Sequence, residues 1–432
     1  MNKYKIIDGF IIIFQLSTYL SIFQDIFLGI LSQPIKQIII PCFFSVFLFI
    51  RFRNVYFTLS NRFPNFVKLL IVIYLLDIIQ LLIFKEGVSG GIFLLIFGIL
   101  NLLSFYLYLL NTYIYNSKLN NFNEDKIWCI INPYIYFCLY NVFVVLLSVI
   151  LLSLEILNPN MNELSNSSLI NLGNNNIVDN GAIYYFPGFL SINLNITRLS
   201  FIPNIGLPTG LSHEPHILCF LILPSLFFII AKPNYSKITK ISLLICYILV
   251  CVFSTSATVF LVLLIILFLE FLYVIYVKHN YLNVFFFLIA LFVVLYFAKD
   301  QISSIYNDFV FIKVKTETDS MDYSKDMINY ILKPTSILGR GNIIAPSELK
   351  NNSIGLFSSI FDSLIFLLIL YQTIKLFLSK NHFEHYVGLG ILYFLIHSLK
   401  VSYLLFSYPF LIFILTIIFI INNRREKSII KN

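Results

Sequence analysis

Ser212–Phe227 reads SHEPHILCFLILPSLF, and the change within it, from histidines and a glutamate to an almost unbroken apolar run, decides what kind of chain this is. Ser212 suits an N-cap and Pro215 the first helical turn, where a missing N–H costs nothing. The run beyond is apolar on every side, which suits a helix only in a large core or a bilayer. Upstream, Arg198 opens RLSFIPNIGLPTGL, whose Pro203, Gly206, Pro208 and Gly210 would turn the backbone. Arg198, His213, Glu214 and His216 are therefore expected together where an apolar element begins. Charged groups are expensive in such a place and point to use.

Working outward, the whole chain has the same character. Of 432 residues 59% are hydrophobic and 12% charged, and the mean hydropathy is +0.88, which leaves too little polar surface to enclose a soluble core of this size. The fold class is an all-α polytopic membrane protein. The net charge of +8 is spread along the chain, so no nucleic-acid surface is implied. Cys42, Cys129, Cys138, Cys219, Cys246 and Cys251 all fall in apolar segments, which excludes a disulfide framework and a cysteine zinc site. The start, MNKYKIIDGF, shows no small-residue cleavage site and reads as a retained first helix.

At about 20 apolar residues per crossing, spans are expected near 7–31, 36–50, 66–84, 91–114, 128–157, 213–231, 238–253, 257–277, 281–298, 355–378, 386–403 and 407–422. Lys and Arg in short loops mark the cytoplasm. Lys3, Lys5, Arg51, Arg53, Arg62, Lys68, Lys118, Lys126, Lys232, Lys237, Lys240, Lys278, Lys375, Lys380, Arg424, Arg425, Lys427 and Lys431 all fall on one side of that alternation, against Lys36, Lys85 and Lys400 in short connections on the other. Both termini are thus expected in the cytoplasm and the chain forms one membrane domain, 1–432. Its long polar segments, 158–212 and 299–354, become two large outer loops.

Loops of this length are uncommon and tend to be functional or disordered. The first is rich in Asn, Ser and Gly with aromatics interspersed, a composition suited to turns. Within the second, MDYSKDMINYIL (321–332) suits a short amphipathic helix on the membrane surface, and ILGRGNIIAP presents Arg340 between Gly339 and Gly341, where backbone can approach a ligand closely. The helix capped by Ser212 would run from outside to inside, so its positive dipole end meets the outer water and favours an anion. Arg198 and Arg340 offer planar, permanently charged donors that suit a pyrophosphate.

Plainer readings stand beside these. Arg198 and Arg340 also suit interfacial anchors, and His397 and Lys400, late in the eleventh span, suit satisfied or snorkelling side chains, with Lys400 within reach of the outer face. Glu214 also suits a dipole-complementing acid in the first turn. His213 and His216 share a helix face without a third ligand at metal spacing, so no metal is expected. Ser254, Thr255, Ser256 and Thr258 read as capping residues. Asp77 and Glu270 lie within spans with partners that sequence does not name, and His279, His382 and His385 fall in turns and carry no assignment.

Twelve spans, two large outer loops, Arg198 upstream of Glu214–Pro215 at a helix start, STSAT at a helix pair and the Gly339–Arg340–Gly341 turn together resemble the bacterial O-antigen polymerases, relatives of the O-antigen ligases. The resemblance implies a C-type glycosyltransferase fold in the bacterial inner membrane, acting at its outer face on undecaprenyl-pyrophosphate-linked glycans without a cofactor. It implies Arg198 and Arg340 on the departing pyrophosphate, Glu214 or His213 as general base, and His216, Lys333, Gly339, Gly341 and Lys400 around substrate. Implied partners are the lipid-linked glycans, membrane lipid and a chain-length regulator protein. The metal ligands that related lipid-phosphate enzymes carry in their first outer loop are replaced here by SQPIKQ (32–37), which disfavours a metal-dependent version. A flippase for the same lipid-linked unit, or a ligase, is the alternative.

Overall fold

A computed structural model describes residues 124–154, 156, 183–186, 191–194, 207–210, 215–254, 257–277 and 360–398, with short helical pieces between 68 and 76 and between 412 and 424. The described residues are mostly helical: α1 (Glu124–Ser153), α2 (Pro215–Ala231), α3 (Lys237–Ser254), α4 (Ala257–Tyr276), α5 (Ile360–Phe377) and α6 (His382–Ser398). By length and composition, three stretches are apolar enough to cross a membrane: Tyr134–Leu151 within α1, Lys237–Ser254 and Val259–Tyr276. The expected spans 7–31, 36–50, 91–114 and 281–298 and the segment 299–354 lie outside the described residues.

The all-α expectation is corrected at one place. Within 158–212, strands β1 (Ile183–Phe186), β2 (Ser191–Leu194) and β3 (Leu207–Gly210) form an antiparallel sheet in the order β1-β2-β3. Tyr184 pairs with Asn193, and Asn193 with Pro208, with an irregularity between Ile192 and Asn193. IYYF is β-branched and aromatic throughout, which suits a pleated surface, SINL contributes Ile192, and the short link between them suits a hairpin. Reading this segment by its Asn, Ser and Gly content missed them.

Two patterns of burial divide the helices. α2 is enclosed on all sides from Leu218 to Ile229 and α6 from Val387 to Leu395, and these two form the centre of the bundle. α3 buries only Tyr247, Val250, Cys251 and Ser254, one stripe at helical spacing. Its other face exposes Ile238, Ile241, Ile245 and Ile248, just as α4 exposes Leu261, Leu264, Leu267 and Phe268. A soluble helix would place charge there, whereas lipid tails accept such side chains freely.

Without a hydrophobic drive between helices in lipid, association rests on close packing and interhelical hydrogen bonds. The glycines of α6 supply the first. A β-carbon on Gly390 would lie 3.0 Å from the Pro224 carbonyl oxygen and 3.3 Å from Phe227 Cβ. Aromatic rings fill the remainder, with Phe220 and Phe394 centred 4.4 Å apart and Phe394 meeting Phe413 edge-on at 4.8 Å. Polar groups inside are satisfied locally: Ser148, Thr373 and Thr416 donate to carbonyls three or four residues back. Interhelical bonds centre on α2, where Tyr134 and Cys138 of α1 both donate to the Leu221 carbonyl, the latter at 3.6 Å, and Tyr247 of α3 meets Ser225 at 2.5 Å. Pro224, inside α2, lacks the N–H that would close the turn back to Phe220.

The helices give the bundle two distinguishable ends. At one lie the sheet, Pro215, and the α3–α4 junction at Ser254. At the other lie Lys232, Lys240, the α5–α6 turn and Arg424, where Lys240 Nζ donates to the Ile230 carbonyl at 2.6 Å and satisfies the C-terminus of α2.

Candidate functional site

The sheet end carries the sequence-derived site, and its framework starts at Gly210. This residue adopts φ of 58°, the left-handed region that favours glycine. A β-carbon there would lie 3.0 Å from Leu218 Cδ1, 3.2 Å from Val145 Cγ2 and 3.5 Å from Asn141 Oδ1. The end of β3 is thereby seated between α1 and the first turns of α2. Helix α2 then begins at Pro215, in accord with its expected place in the first turn, and His216 follows within that turn.

Arg198, His213, Glu214, Lys333, Gly339, Arg340, Gly341 and Lys400 lie outside the described residues. Of the expected site only His216 is placed, on the backbone of α2. The meeting of Arg198 with Arg340, on which the sequence reading of pyrophosphate binding rests, belongs to the same undescribed segments.

Asn141, beneath Gly210, was not anticipated. Its side chain is 1% exposed; Nδ2 donates to the Phe137 carbonyl at 3.0 Å, and Oδ1 has no hydrogen-bond partner among the described residues. Ser254 is buried in the same end, donating to the Cys251 carbonyl at 2.9 Å, with the Cys219 thiol 3.2 Å from its Oγ. The capping role expected of Ser254 is thus an internal bond that closes the last turn of α3. His397 is buried against Phe220, with its Nδ1 3.0 Å from the Tyr393 hydroxyl.

Two charged centres at the opposite end escaped the sequence. Lys232, a topology signal by its place in the sequence, is only 7% exposed. Its ammonium donates to Asn132 Oδ1 at 2.8 Å and lies 4.4 Å from the Tyr235 ring centre and 5.8 Å from those of Trp128 and Tyr136. Burial lowers its pKa below the ordinary lysine value, while Tyr136 works in the other direction. Glu270, left without a partner by sequence, is joined to His385 at 2.6 Å. Neither could be found from spacing, because their partners come from distant helices. Among the described residues no group of three or more His, Cys, Asp or Glu is arranged to hold a metal ion. No family model, no curated protein and no solved structure matches this chain.

Proposed function

We propose that this chain is a membrane glycosyltransferase that polymerises polyprenyl-pyrophosphate-linked oligosaccharide repeat units into a surface polysaccharide, at the outer face of a bacterial inner membrane. The observation that supports the reading is Pro215 at the start of the described apolar helix α2, in a sequence where Glu214 immediately precedes it and Arg198 lies upstream. No nucleotide is needed, because the glycosyl pyrophosphate itself holds the driving energy. The bond between the sugar anomeric carbon and the pyrophosphate oxygen breaks as an acceptor hydroxyl attacks that carbon. Glu214 or His213 takes the hydroxyl proton, and Arg198 with Arg340 stabilises the charge left on the lipid pyrophosphate. His216, Lys333, Gly339, Gly341 and Lys400 bind substrate in this scheme.

Replacing Arg198 or Glu214 with Ala in the producing bacterium tests it, with membrane levels of the variant checked by immunoblot. Long polysaccharide is expected to vanish while a single repeat unit on the acceptor persists; unchanged chain-length ladders refute the assignment. A carrier for the same lipid-linked unit is the second reading, and Glu270 within the apolar stretch Val259–Tyr276 favours it, since a transporter places ionisable groups within its spans. A deletion strain separates the two: one capped repeat points to the polymerase, none to the carrier or a ligase.

A further inference from the structure

Asn141 lies within the apolar stretch Tyr134–Leu151, twelve residues before the end of α1 at Ser153, which is about 18 Å along the helix axis. Lipid offers main chain no hydrogen-bond partner, so backbone outside a helix is found at such depth only where protein encloses it or it lines a cavity. Strand β3 reaches that depth. Its last residue, the buried Gly210, meets Asn141, Val145 and Leu218, and a β-carbon on it would stand 3.5 Å from Asn141 Oδ1. The strand that precedes α2 therefore descends between α1 and α2.

The amide beneath Gly210 has a fixed sense. Nδ2 donates to the Phe137 carbonyl at 3.0 Å, a bond the amide oxygen cannot make, so Oδ1 is the atom turned toward Gly210. Oδ1 has no hydrogen-bond partner among the described residues. An amide oxygen buried in this way costs stability, and a polar group held inside a span points to use.

We propose that Asn141 is a glycan-binding residue: when the end of β3 withdraws, Oδ1 accepts a hydrogen bond from a sugar hydroxyl of the lipid-linked glycan. The assignment rests on the glycosyltransferase reading above. An acceptor oxygen repels phosphate, so Oδ1 takes a neutral donor and not the pyrophosphate. The first turn of α2, whose N–H groups lack intrahelical acceptors, favours oxygen close by, and a hydroxyl, both donor and acceptor, suits that pairing. Gly210 suits a removable cover. It presents only main chain to Asn141, and its four-residue strand lies at the edge of the sheet, paired to β2 alone, so withdrawal breaks few bonds.

The test places wild type, Asn141→Leu or Asn141→Ser in a deletion strain of the producing bacterium. Membrane levels are read by immunoblot, thermal midpoints on the purified full-length protein in detergent, and polysaccharide on gels. Asn141→Leu, which lacks the acceptor, is expected to reach the membrane with a midpoint no lower than that of wild type, yet to yield about tenfold less long polysaccharide. Asn141→Ser is expected to restore most of it, since a serine hydroxyl donates to the Phe137 carbonyl and still accepts through its lone pairs. Asn141→Ala, equally without an acceptor, serves if the leucine variant does not reach the membrane. Wild-type polysaccharide from the variant without an acceptor, a loss that only follows midpoint or membrane level, or a serine variant no better than leucine overturns this assignment alone. Long polysaccharide in the deletion strain without any copy overturns the glycosyltransferase reading as well.

Discussion

Gly388 stands where any side chain would collide with Phe377: a β-carbon there would lie 2.5 Å from the Phe377 backbone nitrogen and 2.9 Å from its Cα. The obstacle is main chain of the neighbouring helix, so it cannot move aside as a side-chain tip would. α5 and α6 are therefore in backbone contact just beyond their turn. Gly388→Ala is expected to cost at least about 3 kcal/mol, and Gly390→Ala, whose nearest atom stands at 3.0 Å, about 1–2 kcal/mol. Unfolding in detergent checks the order; equal losses at the two sites would contradict it.

The same hairpin depends on a cap. Asn381 Oδ1 accepts from the Phe383 backbone N–H at 2.9 Å, satisfying a donor at the start of α6. Asn381→Ala is expected to lower stability by about 1 kcal/mol and Asn381→Ser by less, since a serine hydroxyl accepts the same bond. Chemical denaturation of the three proteins side by side measures the difference.

Asn141 Oδ1 is a buried acceptor with no hydrogen-bond partner among the described residues, while its Nδ2 bonds a carbonyl of its own helix. Asn141→Leu is expected to raise stability by about 1 kcal/mol, because it removes an orphaned polar atom among apolar neighbours. Asn141→Asp is expected to lower it, because a carboxyl is harder to desolvate. The thermal midpoints of the two variants should therefore move in opposite directions; a fall for the leucine variant would show that Oδ1 is satisfied in the native protein.

Lys232 has rings on several sides and a single amide acceptor within 3 Å. Lys232→Met is expected to stay within about 1 kcal/mol of wild type near neutral pH, since lost cation–π attraction and relieved desolvation offset each other. Lys232→Glu, which turns a carboxylate toward Asn132 Oδ1 and the ring faces, is expected to lose about 3 kcal/mol or more. Burial lowers the folded-state pKa below the ordinary value of 10.5. The opposing charge is present below the folded value and disappears as pH rises through it, so wild type gains on the methionine variant with rising pH. Unfolding midpoints of both proteins on the alkaline side read that sign.

Pro215 in the first turn of α2 was legible because proline there is a local rule, with the span itself marked from 213, and α3 and α4 run almost as hydropathy marked them, over 237–254 and 257–276 against 238–253 and 257–277. α6 begins four residues before its expected start at 386, because the polar HFEH turn (382–385) is helical once Asn381 caps it and His385 is paired. Hydropathy sees only the apolar part of a helix. The hairpin β1–β2 was missed for a related reason, its two four-residue strands being hidden in an Asn- and Ser-rich context.

By itself, the sequence determined that this chain is a helical assembly with apolar outer surfaces, and where most of the described helices begin and end, because apolar run length and helix-start chemistry are properties of neighbours along the chain. Only the tertiary structure decided that α2 and α6 are central, that Gly388 and Gly390 admit neighbouring backbone, that Lys232 is caged, and that Glu270 belongs with His385. Those facts depend on groups as far apart as 115 positions meeting across packed helices, and a contact at that separation leaves no periodic trace in one sequence.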